Sequence, residues 1–132
     1  MRKPARKTAP RTKGARKRAR RTVKFLQKPA CATCIKARRF LEKRGFHLNY
    51  RDLIKDRLSA AEIAELIGPR DHEDFLRPHS EAYREKNMSE NPPSRREAIR
   101  LMAKDPELIR RPVIVAGGRV VIGYDENGMI RF

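Results

Sequence analysis

Cysteine is scarce: the 132 residues contain only Cys31 and Cys34. Two cysteines cannot build the disulfide framework of a small secreted domain. No apolar run approaches the roughly 18 residues that a membrane span needs, and no apolar signal-peptide stretch opens the chain. These absences point to a soluble protein in the reducing cytoplasm, where a disulfide is transient, and no membrane partner is expected. Internal repeats are missing too, and the length suits one domain with a real core.

Acidic residues are missing from one region altogether. Residues 1–22 carry 11 of the 33 Lys and Arg and none of the 16 Asp and Glu, so of the net charge of +17 the remainder holds only +6. This segment has no large apolar side chain after Met1. It cannot bury enough surface to offset the entropy of ordering, and a disordered polybasic tail over 1–22, ahead of a domain over 23–132, is expected. Such a tail contacts the phosphates of nucleic acid or serves as a solvated arm; membrane contact and targeting are the lesser readings.

Val23–Gln27 reads as a short apolar strand. From Cys31 to Arg44 there is neither Gly nor Pro, and Cys34, Ala37 and Leu41 recur at helical spacing, with Phe40 beside them and Gly45 as the stop. HLNYRDL (47–53) alternates as a second strand. Ser59–Glu62 and Ser94–Glu97 are capping boxes opening helices. Between them lies a polar stretch in which Phe75, Leu76 and Tyr83 are the expected inward anchors. Two β-branched runs flank Gly117-Gly118, a hairpin signal, and a short tail follows. The order βαβ, two or three helices, ββ predicts an α/β fold with a sheet of about four strands.

The cysteines lie in PACATC (29–34), where three readings compete: a metal half-site, a buried inert pair and a working redox pair. Zinc needs four ligands, a second CxxC is missing, and His47, His72 and His79 lack ligand spacing, so no metal is expected. A thiol attacks only as thiolate. A helix start offers Cys31 free N–H groups and the positive end of the dipole, and Lys28, Lys36, Arg38 and Arg39 lie nearby in sequence. Cys34, three residues on, is placed to resolve a bond formed at Cys31. The strand–CxxC–helix context favours redox work over an inert pair.

Together with LIRRPVI (108–114), the segment PACATCIKARRFLEKRG resembles the arsenate reductase/Spx family, also called ArsC-like, over about residues 23–131. That resemblance implies a thioredoxin-like fold, with a small mixed sheet and an inserted helical segment. It makes Cys31 the catalytic cysteine, Pro112 the cis-proline and Arg111 the arginine before it. Arg77, with Tyr83 six residues later, looks like an arginine that holds the oxyanion in arsenate reductases; Tyr83 itself is expected in the core and Arg110 in solvent. The implied reaction is attack of Cys31 on arsenate, with no bound cofactor and with glutathione and glutaredoxin, or thioredoxin, as reductant. A third arginine, usual in the second hairpin strand of arsenate reductases, is missing: that region reads Val120-Val121-Ile122-Gly123, with Arg119 earlier. CxxC, LIRRPVIV and RVVIGYDENGMIRF are closer to Spx proteins, redox switches that bind the C-terminal domain of the RNA polymerase α subunit, although those continue with a further C-terminal helix. A thiol-dependent reductase is therefore the first expectation. A CxxC redox-switch regulator is the second, and an unspecialised thiol–disulfide protein the third.

Overall fold

The computed structural model describes residues 21–132. The polybasic segment lies outside the described residues but for Arg21 and Thr22. Thr22, placed in the tail by its sequence, already opens the first strand. Five helices and four strands are present among the described residues: β1 (Thr22–Gln27), α1 (Ala32–Lys43), β2 (His47–Asp52), α2 (Ala60–Ile67), α3 (Glu81–Glu85), α4 (Arg95–Lys104), β3 (Val113–Ala116), β4 (Arg119–Ile122) and α5 (Glu126–Ile130). Single 3-10 turns occupy His72–Phe75 and Pro106–Leu108.

The sheet has the order β2-β1-β3-β4. β1 runs parallel to β2 and antiparallel to β3, which pairs antiparallel with β4 across the Gly117-Gly118 turn. Gly117, at φ 61°, takes the left-handed conformation that glycine permits at no steric cost. This is the expected mixed, thioredoxin-like sheet.

Strand alternation divides the core in two. Val23 and Phe25 of β1, Ile114 of β3 and Val121 of β4 face α1 and α5, and pack with Cys34, Ala37, Leu41 and Met129. Leu26 and Val113 face the other way, onto Leu53 after β2 and onto Ile63, Ile67, Phe75, Met102 and Leu108 of the inserted helical segment. Each fully buried side chain of this size contributes about 1.5–3 kcal/mol. Phe75 and Leu76 are buried as expected, whereas Tyr83 is half-buried and packs at the edge of the second cluster.

Local signals mostly act where the sequence puts them. Ser59 and Glu62 form both halves of a capping box. Ser94 forms only one half: its hydroxyl accepts from the Glu97 N–H at 3.2 Å, while the Glu97 side chain turns to Arg100 at 2.7 and 2.8 Å. The second box is therefore a simple N-cap. The expected C-terminal tail is instead the helix α5, capped by Asp125 and anchored by the wholly buried Met129. Five residues that include Gly128 carry too little helical periodicity to be read. Gly128 is needed because a Cβ there would lie 2.8 Å from Asp125 Oδ2 and 3.1 Å from Val121 Cγ2.

Candidate active site

β1 ends at Gln27, and after four intervening residues the chain enters α1 at Ala32. Cys31 is the N-cap of that helix, with extended dihedrals (φ −73°, ψ 128°), one position before the helical turn itself. No side-chain hydrogen bond caps the helix there, and its first N–H groups have no acceptor within the helix. The Cys31 N–H bonds back to the Lys28 carbonyl at 2.9 Å and closes the turn. Cys31 is half-exposed, and Cys34, one turn further in, is wholly buried. Both are free thiols.

The two environments push the thiols apart. Burial alone would raise Cys31, but hydrogen bonds from the Thr33 hydroxyl, the Cys34 N–H, the Cys34 thiol and the Arg111 side chain outweigh it and bring the pKa down to about 7. For Cys34, burial dominates, with the neighbouring Cys31 adding to it, and the thiol is pushed up to about 12. The same four-residue segment thus holds one thiolate near neutral pH and one firmly protonated thiol.

Thr33 is the residue between the cysteines that the sequence reading passed over. Its Oγ1 lies 2.9 Å from Cys31 Sγ and 3.3 Å from the Arg111 carbonyl oxygen. A hydroxyl has one proton to donate. With Cys31 as a thiol, Thr33 donates to the carbonyl; with Cys31 as a thiolate, it can turn that proton to sulfur. The only signal in the sequence is a hydroxyl residue inside the CxxC. The neighbouring cations act otherwise than expected: Lys36 stacks 5.0 Å from the Tyr124 ring, Arg38 donates to Gln27, and Lys28 pairs with Glu107. Hydrogen bonds, rather than these charges, lower the Cys31 thiol.

The opposite wall comes from the insert and the start of β3. The Arg111–Pro112 bond is cis, and Pro112 is buried. Arg111 is almost enclosed, with its side chain 7% exposed. One of its terminal nitrogens donates to Glu107 at 3.0 Å, while its Nε is buried without a partner. Arg77 donates to the Glu107 carbonyl at 3.2 Å, and its guanidinium lies 3.9 Å from the Glu107 carboxylate. Lys28 Nζ meets the same carboxylate at 3.0 Å. Hydrogen bonding from Lys28 first, then from Arg111, keeps the Glu107 carboxyl below its ordinary range against the opposing effect of burial. Glu107 was not singled out from sequence; its place four residues before Arg111 is the one local hint.

Cys31, Thr33, Arg77, Arg110, Arg111 and Tyr124 line one pocket of about 790 Å³ that opens to solvent. Arg110 is exposed, as expected, yet it forms part of this wall. Of the histidines, His79 reaches the pocket rim, His47 is exposed on β2, and His72 bonds the Pro93 carbonyl. No group of three metal-ligating residues occurs among the described residues. No helix among them is long and apolar enough to cross a membrane.

A half-exposed thiolate at a helix start, a buried thiol one turn behind it and an enclosed arginine with a free Nε suit nucleophilic sulfur chemistry on a small polar group. The chain resembles the global transcriptional regulator Spx of Listeria innocua, at 28% identity over 112 residues, covering 83% of this chain and 86% of that protein. It resembles the Spx of Bacillus subtilis at 27% over the same shares. Among solved structures, an ArsC family related protein from Bacteroides fragilis superposes with a TM-score of 0.74 at 25% identity, over 83% of this chain and 95% of that one. The arsenate reductase from Vibrio cholerae shares the fold with a TM-score of 0.73 at 23% identity, over 83% and 96%. The ArsC family profile matches residues 26–132, from within β1 through the cysteine pair, the insert and the hairpin to the last residue, and the chain belongs to the ArsC family.

Proposed function

We propose that the protein is a thiol-dependent oxidoreductase of the arsenate reductase type, in which Cys31 attacks and Cys34 resolves. The observation that carries this reading is the asymmetry of the pair: Cys31 near 7 and half-exposed, Cys34 near 12 and buried. The nucleophile is charged at working pH, and the resolving thiol keeps its proton until a bond to Cys31 exists.

Cys31 Sγ attacks arsenic(V) of arsenate, and one arsenate oxygen, protonated, leaves as water. Cys34 then gives up its proton and attacks Cys31 Sγ. The S–As bond breaks with its electron pair passing to arsenic, which leaves as arsenite, arsenic(III). The two electrons come from the dithiol, which ends as a Cys31–Cys34 disulfide. Thioredoxin, or glutathione with glutaredoxin, returns those electrons. The N–H groups at the start of α1 and the free Nε of Arg111 hold the oxyanion, with Arg77 at the pocket's edge. A reducing cytoplasm is the compartment in which such a cycle turns over.

The test is arsenate-dependent NADPH oxidation, coupled once to glutathione, glutaredoxin and glutathione reductase and once to thioredoxin and its reductase. Turnover that disappears with Cys31→Ser supports the reductase. No turnover in either system, with a reversible Cys31–Cys34 disulfide still forming, removes arsenate as the substrate.

A second reading is favoured by the curated relatives, which carry the name global transcriptional regulator Spx. Here the same disulfide is a switch, the partner is the C-terminal domain of the RNA polymerase α subunit, and the basic N-terminal segment contacts nucleic acid. A pull-down recovering no polymerase under either reducing or oxidising conditions rules this reading out.

A further inference from the structure

Three cations from three separate chain segments converge on one carboxylate beside the pocket. Lys28 comes from the loop before Cys31, Arg77 from the insert and Arg111 from the residue before Pro112, and all three meet Glu107. Glu107 is held in place from its own side, since its N–H bonds the Asp105 side chain at 3.1 Å within the 3-10 turn. The carboxylate is ionised, as its lowered pKa requires. It does not line the pocket, whereas Arg77 and Arg111 do. A negative charge therefore pairs with two of the arginines that line the pocket.

We infer that Glu107 is a specificity-determining residue, which cancels one charge of the Lys28–Arg77–Arg111 cluster and so weakens the pocket's hold on doubly charged relative to singly charged tetrahedral oxyanions. The inference rests on the oxyanion cradle proposed above and deepens it. The hydrogen-bond inventory agrees. Arg111 has one terminal nitrogen turned to Glu107, so part of its donor set is engaged before any anion arrives, while its Nε is buried without a partner. Arg77 has a donor tied to the Glu107 main chain and its charge facing the Glu107 side chain. The hairpin adds no arginine to this lining, and Arg110 is the third arginine there. With one charge cancelled, the site suits a singly charged oxyanion, the dihydrogen form of arsenate included, better than a dianion.

The test uses the full chain with Cys31→Ser, which removes the thiolate's own charge, and inorganic phosphate at pH 8 as an inert dianion, with affinity read by calorimetry. Glu107→Gln keeps the shape and an acceptor oxygen but drops the charge. It is expected to bind phosphate about tenfold more tightly than its parent, the size of one fixed charge acting in a water-screened site. Glu107→Asp, which keeps the charge, is expected to bind no more tightly than the parent. Thermal unfolding of each variant separates a folding defect from a binding one. Equal or weaker phosphate binding by a folded Glu107→Gln overturns the inference and leaves Glu107 as a support for the arginines. Phosphate binding that is absent in every variant, or indifferent to Arg111→Lys, instead removes the oxyanion cradle and with it the reading on which this inference rests.

Discussion

The pocket has two walls that differ in how complete they are. The cysteine wall, residues 28–34 and the start of α1, carries everything that thiol exchange needs: an activated sulfur, a protonated resolving sulfur and a hydroxyl between them. The arginine wall, from the insert and the start of β3, is built but already occupied, with Arg77 and Arg111 turned toward Glu107. The first wall is assembled within one local turn of chain and works by hydrogen bonds over short distances. The second depends on segments far apart in sequence and works by net charge. On the proposed function, the chemistry belongs to the first wall and the choice of substrate to the second. A family in which a redox regulator and a reductase share one frame is compatible with that division.

The comparison breaks most sharply at Cys31. Replacing it by serine removes the activated nucleophile, and turnover in either coupled assay is expected to fall by about a thousandfold or more. Cys34→Ser comes next. Cys31 still attacks, but the internal disulfide cannot form, so a Cys31 adduct accumulates and is visible by mass spectrometry. Turnover drops by about a hundredfold unless glutathione is present to resolve the adduct from outside. On the other wall, Arg111→Lys replaces a planar, enclosed guanidinium with a point charge. It should lower kcat/KM by about tenfold or more while the unfolding midpoint moves by only a few degrees; an unchanged rate would remove the arginine wall from the reaction.

The smallest expected effect sharpens the comparison within the first wall. Thr33→Val keeps the shape and deletes the hydroxyl that faces Cys31. The Cys31 thiol should then rise from about 7 toward the ordinary thiol range, and its alkylation at pH 7 should slow several-fold. Thr33→Ser should restore it. The sign follows from the thiolate being the stabilised form: reactivity is gained as pH rises through the pKa, and a higher pKa moves that gain to higher pH.

Much of the first wall was legible because its signals are local. A strand, a helix with Cys34, Ala37 and Leu41 on one face, and a CxxC at its start are written in consecutive residues. The hairpin was legible for the same reason, with β-branched runs on both sides of Gly117-Gly118. Arg111 and Pro112 were found through a family resemblance and not through any property of their own spacing. Glu107 was missed because its significance arises only when Lys28, Arg77 and Arg111 are folded onto it. Thr33 was missed because a threonine between two cysteines has many uses, and only its distance to Cys31 Sγ selects one. The helix α5 was hidden by its length and by Gly128, since Met129 holds it through burial and not through propensity.

Cys31 is proposed as the nucleophile because its surroundings hold it as a thiolate near neutral pH. The most direct measurement is the rate of iodoacetamide alkylation of the reduced full chain from pH 5 to pH 10, with the modified cysteine located by peptide mass spectrometry. A single early modification at Cys31 with a midpoint near pH 7 is expected, while Cys34 stays unmodified throughout that range. A midpoint near that of an ordinary thiol, or Cys34 reacting first, would contradict it.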